Sequence, residues 1–182
     1  MKSSKRTTRW PLTAVLLIAA LAAAGCETTL PDADDEAPEI RLVISGGGIG
    51  SHTMSNPPTE TWAETDGTQL FNLTSGAHYP FTLTVTDEGG VARVALRMPA
   101  DISVSNLSPD VRDESGGLTR TLLIEGDRSA PRTALVISGT MTPSATSTSG
   151  FAFDLEAEDF GGGGGFVNQR FMLVRAGVNP AP

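Results

Sequence analysis

Apolar and polar residues alternate along much of the chain after residue 40. The clearest run is FTLTVTD at 81–87, in which Phe81, Leu83 and Val85 share one face and threonines share the other. A period of two predicts a β-strand with one face in a core. The alternation resumes at 91–98 after an Asp-Glu-Gly-Gly turn and stops at Pro99. This pattern predicts two strands joined by a hairpin or a tight corner.

Other stretches of the chain have the same period. They lie at residues 40–44, 102–107, 118–125, 132–141, 151–158 and 166–175. The glycines at 46–50 are interpreted as a turn, because the third glycine of a dinucleotide-binding G-x-G-x-x-G loop is absent there. Residues 51–67 are polar and are expected to form a long loop or an irregular edge, and residues 142–150 are expected to be a loop. Seven or so strands without a helical period predict one all-β domain, a β-sandwich.

The last two apolar runs predict a hairpin with a defined register. Placing their large apolar residues on one core face sets Leu155 opposite Phe171 and Phe153 opposite Leu173. The same register sets Glu156 opposite Arg170 on the outer face. We therefore expect an exposed ion pair on this hairpin and Phe153 in the core.

The first 26 residues have a different pattern. Basic residues without any acidic residue precede an apolar run from Leu12 to Gly25, and Cys26, the only cysteine of the chain, follows it. A basic head, an apolar middle and a small-residue end are typical of a secretory signal peptide. The run is shorter than the ~20 residues that a membrane-spanning helix needs, so residues 1–25 are interpreted as a signal peptide.

The end of that segment, LAAAGC at 21–26, resembles the lipobox of bacterial lipoproteins. The resemblance implies that Cys26 receives a diacylglyceryl group and, with further acylation such as palmitate, anchors the chain in a membrane. The sequence departs from the family at Ala23, where leucine is usual. Ordinary signal cleavage after Ala22-Ala23-Ala24 is the alternative. Glu27 stands where lipoproteins retained in the inner membrane carry Asp, which favours the outer membrane, with the protein facing the periplasm or the cell surface.

Residues 26–39 follow as an acidic tether. The segment ETTLPDADDEAPE at 27–39 contains two prolines and little that a core could bury, so it is expected to be extended and disordered. The predicted organisation is a signal peptide at 1–25, a lipidated cysteine and tether at 26–39, a sandwich domain at 40–176 and a C-terminal tail at 177–182.

The charge of the chain limits its partners. No lysine follows residue 5, and all 21 acidic residues lie after Cys26. Binding to nucleic acid needs clustered Lys and Arg, so a nucleic-acid partner is not expected. With a single cysteine, the domain has no intramolecular disulfide.

Two segments of the predicted sandwich have a family resemblance. FTLTVTDEGGVARVALRM at 81–98 resembles the B and C strands of bacterial immunoglobulin-like and cadherin-like domains. FAFDLEAEDFGGGGGFVNQRFMLVR at 151–175 is similar to their last hairpin. The resemblance implies an Ig-like antiparallel β-sandwich, although the cysteine pair and core tryptophan of many such domains are absent.

The chain contains few candidates for chemistry. His52 and His78 lie far apart and match no zinc motif, and no serine lies in G-x-S-x-G. We therefore predict no enzyme activity, no cofactor and no metal site. An alternative is a calcium-dependent adhesion module, because Asp154, Glu156 and Glu158 share a strand face next to Asp159.

Aromatic residues suggest one further alternative. Exposed flat rings can stack on sugars, and Trp62 and Tyr79 are the candidates, because most phenylalanines occupy inward strand positions. The function expected from the sequence is a lipid-anchored cell-envelope protein with a non-enzymatic structural or protein-interaction role. Glycan or small-ligand binding through the Trp62 loop, and calcium-dependent adhesion, remain the alternatives.

Overall fold

The structure, a computed structural model, describes residues 36–56, 69–144, 151–161 and 167–181. In these ranges the chain forms β-strands and turns without a helix. The strands are β1 (Glu39–Ser45), β2 (Ser51–Asn56), β3 (Gln69–Thr74), β4 (Tyr79–Thr86), β5 (Val91–Pro99), β6 (Ile102–Ser105), β7 (Arg112–Gly116), β8 (Thr119–Glu125), β9 (Ala134–Pro143), β10 (Phe151–Asp159) and β11 (Gln169–Asn179).

The strands form two sheets that pack as a β-sandwich. One has five strands in the order β2-β1-β4-β9-β6, and the other has six in the order β3-β11-β10-β5-β8-β7. Alternate side chains of both sheets point between them, as the period of two predicts. The largest fully buried side chains include Tyr79, Phe153, Leu42, Leu83 and Leu96. The prediction of an all-β fold is confirmed, but the described part alone has more than the seven strands expected.

The strands that sequence reasoning missed are polar or peripheral. β2 (SHTMSN) lies within the expected loop at 51–67 and occupies an edge of the five-stranded sheet. β7 (RDESG) is exposed at every position on an edge of the other sheet. Edge strands need little apolar surface, and charge on them limits pairing with other chains. Residues 51–56 are therefore an edge strand rather than a loop, and residues 57–67 lie outside the described ranges.

The strands predicted at residues 81–87 and 91–98 are joined by a tight corner. β4 belongs to the five-stranded sheet and β5 to the six-stranded sheet, so the turn at 87–90 carries the chain from one layer to the other. Gly90 has a φ of 98° and would place a Cβ 3.1 Å from Pro131 and 3.3 Å from Phe160. Glycine suits this position because an L side chain would be strained and crowded there.

The register of the last hairpin differs from the prediction by one residue. Phe153 lies opposite Val174, Leu155 opposite Met172 and Glu156 opposite Phe171. Phe153 is fully buried, as expected. Phe171 points outward, because the register places the even-numbered residues of β11 towards the core.

The end of the chain also differs from the expected organisation. β11 continues to Asn179, and Val178 is buried, so the last strand extends beyond the domain boundary expected at residue 176. Residues 175–179 pair with β3 in parallel, so the sandwich is not purely antiparallel.

The N-terminal end of the sandwich is fixed by two side chains of the six-stranded sheet. Arg170 donates a hydrogen bond of 3.1 Å to the carbonyl of Ala37, and Asn168 donates one of 3.5 Å to that of Glu36. Within the described ranges, no helix is long and apolar enough to cross a membrane. The predicted signal peptide and residues 26–35 of the tether lie outside those ranges.

Candidate functional site

The residues predicted to carry function have different positions in the structure. Cys26 and Trp62 lie outside the described residues, so lipidation and a ligand-binding Trp62 loop stay predictions. Tyr79 is described and is fully buried. The structure therefore does not bring these three residues together into one observed site.

Tyr79 packs in the core at the start of β4. Its hydroxyl accepts a 2.7 Å hydrogen bond from the backbone amide of Thr74, and its ring lies so close to Gly47 that a Cβ there would be 2.2 Å away. The expected exposure of the Tyr79 ring is wrong. The alternation that points Phe81 and Leu83 inward extends back to Tyr79, and this signal was present in the sequence.

Two acidic residues of β10, Glu156 and Glu158, face outward and pair with arginines of β5. The Glu156 carboxylate lies 3.0 Å from Nη1 of Arg93 and 2.5 Å from Nη2 of Arg97, and Glu158 lies 3.1 Å from Nη1 of Arg93. These four residues form what we term the ion-pair layer. It lies over Ala95, which is fully buried although it points to the outer face opposite Glu156.

The ion-pair layer holds Glu156 in its charged form. Burial alone would raise the pKa of Glu156, but the hydrogen bond and charge of Arg97, with the charge of Arg93, outweigh that effect. The pKa of Glu156 therefore lies below its ordinary value of 4.5. The prediction that Arg170 pairs with Glu156 is wrong. Arg170 lies opposite Ala157 and donates hydrogen bonds to the Asn56 side chain and to the carbonyl of Ala37.

Asp159 fixes the connection between β10 and β11. Its side chain is buried, and its carboxylate accepts hydrogen bonds from the backbone amides of Gly161 and Asn168, each 2.8 Å long, and from the Asn168 side chain at 2.7 Å. A carboxylate that accepts several N–H groups closes a turn in this way. Asp159 is thus engaged in holding the two strands together.

These contacts bear on the calcium alternative. Among the described residues, no three His, Cys, Asp or Glu side chains are grouped so that they could hold a metal ion. Glu156 and Glu158 bind arginines, and Asp159 binds amide groups. An incoming cation would have to displace all of these partners.

The outer face of the six-stranded sheet also exposes apolar side chains. Phe171 is 59% exposed and Leu173 is 46% exposed, and they lie opposite Glu156 and Asp154 respectively. They form an apolar margin beside the ion-pair layer. Sequence reasoning missed this feature because it assigned both residues to the core.

Comparison with known proteins gives no relative from which a function could be transferred. No protein-family model matches the chain, and a search of curated proteins found no significant match.

Proposed function

We propose that this chain is a lipid-anchored protein of the bacterial cell envelope, in which the β-sandwich has a structural or protein-interaction role rather than a catalytic one. The observation that carries the proposal is the N-terminal segment, in which a basic head and a short apolar run end at the only cysteine. Two or more acyl chains on Cys26 would anchor the chain stably.

The start of the described structure supports this arrangement. Only the twelve residues 27–38 separate Cys26 from β1, which begins at Glu39. Such an acidic, proline-containing segment serves as a spacer between a lipid and a folded domain. The apolar margin of Phe171 and Leu173 offers one surface for a protein contact.

We further propose that the sandwich is Ig-like. In Ig domains, strands A, B and E lie in one sheet and strands C, F and G in the other. Here β1, β4 and β9 are neighbours in one sheet, and β5, β10 and β11 are neighbours in the other. This order agrees with the resemblance of residues 81–98 to strands B and C. Beyond that core, β2 and β6 extend the first sheet, and β3, β8 and β7 extend the second.

Substitution of the lipidation residue tests the anchor. Cells that express the full-length chain are grown with an alkyne fatty acid, and the label on the protein is measured together with its distribution between membrane and soluble fractions. We expect Cys26→Ser to abolish labelling and to move the protein out of the membrane fraction, because no other thiol is present. The control is Thr29→Ser in the tether, which leaves the thiol in place.

The absence of label on the wild-type chain would contradict the proposal. Cleavage after Ala24 would then leave an unmodified thiol at Cys26, which a maleimide reagent detects.

Fluorescence titration of Trp62 with envelope glycans tests the alternative of glycan binding. Tyr79 is no longer a candidate for that site, because it is buried.

Substitution of Glu27, the residue after Cys26, tests which membrane holds the chain. In a host with two membranes, we expect the wild-type chain in the outer membrane, and Glu27→Asp to shift it towards the inner membrane, as the lipoprotein resemblance implies. Density-gradient separation of the membranes measures this shift. Equal distributions of the Glu27→Asp and Glu27→Gln variants would contradict the assignment.

A further inference from the structure

The outer face of the five-stranded sheet is covered mainly by hydroxyl groups. Residues directly opposite each other in antiparallel strands share a face, and the registers place Val43, Thr82 and Ser138 in one row across the sheet. We term this surface the hydroxyl face. Its hydroxyl residues are Ser51 and Thr53 of β2, Ser45 of β1, Thr82, Thr84 and Thr86 of β4, Ser138, Thr140 and Thr142 of β9, and Ser103 and Ser105 of β6. Val136, which is 40% exposed, lies among them opposite Thr84.

The hydroxyl face is nearly free of charge. In its described strands, Arg41 and Glu39 on β1 are the charged residues. Glu39 lies at the end beside Thr86, and Arg41 lies opposite Thr84 of the middle strand. The opposite outer face of the sandwich is covered by the ion-pair layer. The whole chain has a net charge of −8 at pH 7. Its acidic residues are therefore concentrated away from one broad surface.

Among the described residues, the central hydroxyls of this face have no hydrogen-bond partner. Thr82, Thr84 and Thr86 lie on β4, the middle strand of the sheet, and their side chains make no hydrogen bond within the described part of the chain. Thr82 and Thr86 are exposed. These groups are available to a molecule that lies against the sheet.

We propose that the hydroxyl face is the surface at which a second copy of this chain docks. A hydroxyl group both donates and accepts hydrogen bonds, so a face of Ser and Thr is complementary to an identical face. A two-fold axis in the plane between the two faces, in front of β4, makes such a contact isologous. Like charges repel when two acidic copies approach through other surfaces, whereas the hydroxyl face avoids this repulsion.

The size of the sheet is sufficient for a weak, specific pair. Five strands spaced ~4.8 Å apart and about seven residues long at ~3.4 Å each cover roughly 550 Å². Two such faces bury about 1,100 Å², close to the ~1,000 Å² that a specific protein interface requires. We therefore expect a reversible dimer.

A neutral polysaccharide is the competing occupant, because it is also rich in hydroxyls. Protein surfaces that bind sugars commonly stack exposed aromatic rings on them. No aromatic side chain lies on the outer face of the described strands of this sheet, where Tyr79 and Phe81 point inward. This composition favours a second copy.

A charge placed at the centre of the face tests the proposal. Thr82 lies between Val43 and Ser138, so a charged residue there has no charge directly opposite it on either neighbouring strand, and Arg41 is the charged residue diagonal to it. The full-length chain in nonionic detergent and reducing agent is measured by sedimentation over a range of concentrations. We expect two chains per particle for the wild type, and at least a tenfold rise in the dimer dissociation constant for Thr82→Glu and for Thr82→Arg.

The control variant is Thr119→Glu, an exposed position of β8 between Pro99 and Gly116 on the other sheet, which should dimerise as the wild type does. An equimolar mixture of Thr82→Glu and Thr82→Arg should recover the pair, which excludes misfolding as the cause of the loss. The proposal is overturned if the wild type stays monomeric. It is also overturned if Thr82→Glu leaves the dimer intact, or if the monomer binds a neutral glucan through this face.

Discussion

Phe153 and Phe171 lie on neighbouring strands but in opposite surroundings. Phe153 is fully buried, and its ring meets Phe151 edge to face at 5.0 Å between centroids, whereas Phe171 is 59% exposed. We expect Phe153→Ala to lower the free energy of unfolding by about 3–5 kcal/mol, because it removes buried surface and leaves a cavity. Phe171→Ala serves as the matched control and should cost less than about 1 kcal/mol. Urea denaturation compares the two, and equal losses would contradict the register.

Glu156 makes stability depend on pH. Its folded-state pKa is below its ordinary value of 4.5, so its contribution is present above about pH 4.5 and is lost as the pH falls through the folded-state value. We expect Glu156→Gln to cost about 1–2 kcal/mol at pH 7, between the values for exposed and buried ion pairs.

The variant should also lose less stability than the wild type on acidification. Thermal unfolding at pH 7 and pH 3 measures this difference. The control, Glu114→Gln, alters an exposed pair with Arg112 and should leave the pH dependence unchanged. A wild-type and a Glu156→Gln protein with parallel pH profiles would show that the ion-pair layer does not stabilise the fold.

The arginine partners of Glu156 show a limit of sequence reasoning. An interior strand such as β10 has two neighbours, and the pattern within one hairpin shows only one of them. The prediction chose Arg170 from β11, whereas the charged partners Arg97 and Arg93 lie on β5, 59 and 63 residues earlier in the chain. The pairing became evident only from the order of the strands.

Among the elements, the β10–β11 hairpin depends on Asp159. We expect Asp159→Ala to cost about 2–3 kcal/mol, because the amides of Gly161 and Asn168 lose a buried acceptor. Asp154→Ala, an exposed position of the same strand, is the control and should be nearly neutral. Denaturation measures both, and hydrogen exchange at the Asn168 amide should rise only in Asp159→Ala. Unchanged exchange there would contradict the role of the carboxylate in this turn.

The strands themselves were predictable where one face is apolar and the other polar. This condition holds for β4 and β5, which were predicted almost to their ends. On β11 it fails, because Phe171 and Leu173 are apolar on the outer face while Met172 and Val174 are apolar on the inner one. Arg175, which falls on the same face as Phe171, was the residue that could have indicated the correct register.

At the scale of the whole molecule, the two sheets present different surfaces. The six-stranded sheet carries charged pairs and two exposed apolar side chains, and the five-stranded sheet carries hydroxyls. The sandwich class followed from the number and period of strands. The contrast between the two outer faces could not be predicted from the sequence, because this contrast depends on which strands are neighbours within each sheet.

The hydrogen bonds from Arg170 and Asn168 to residues 36 and 37 have a consequence for a chain anchored at Cys26. They fix the tether at the end of the sandwich where β11 begins and β10 ends. That end would then face the bilayer, at most ~35 Å above it, because only the ten residues 27–36 can span the distance. The turn between β7 and β8 lies at the far end, beside Pro99, and its Leu118 is 91% exposed. Leu118 is therefore an exposed apolar side chain at the end of the sandwich that would be turned away from the bilayer.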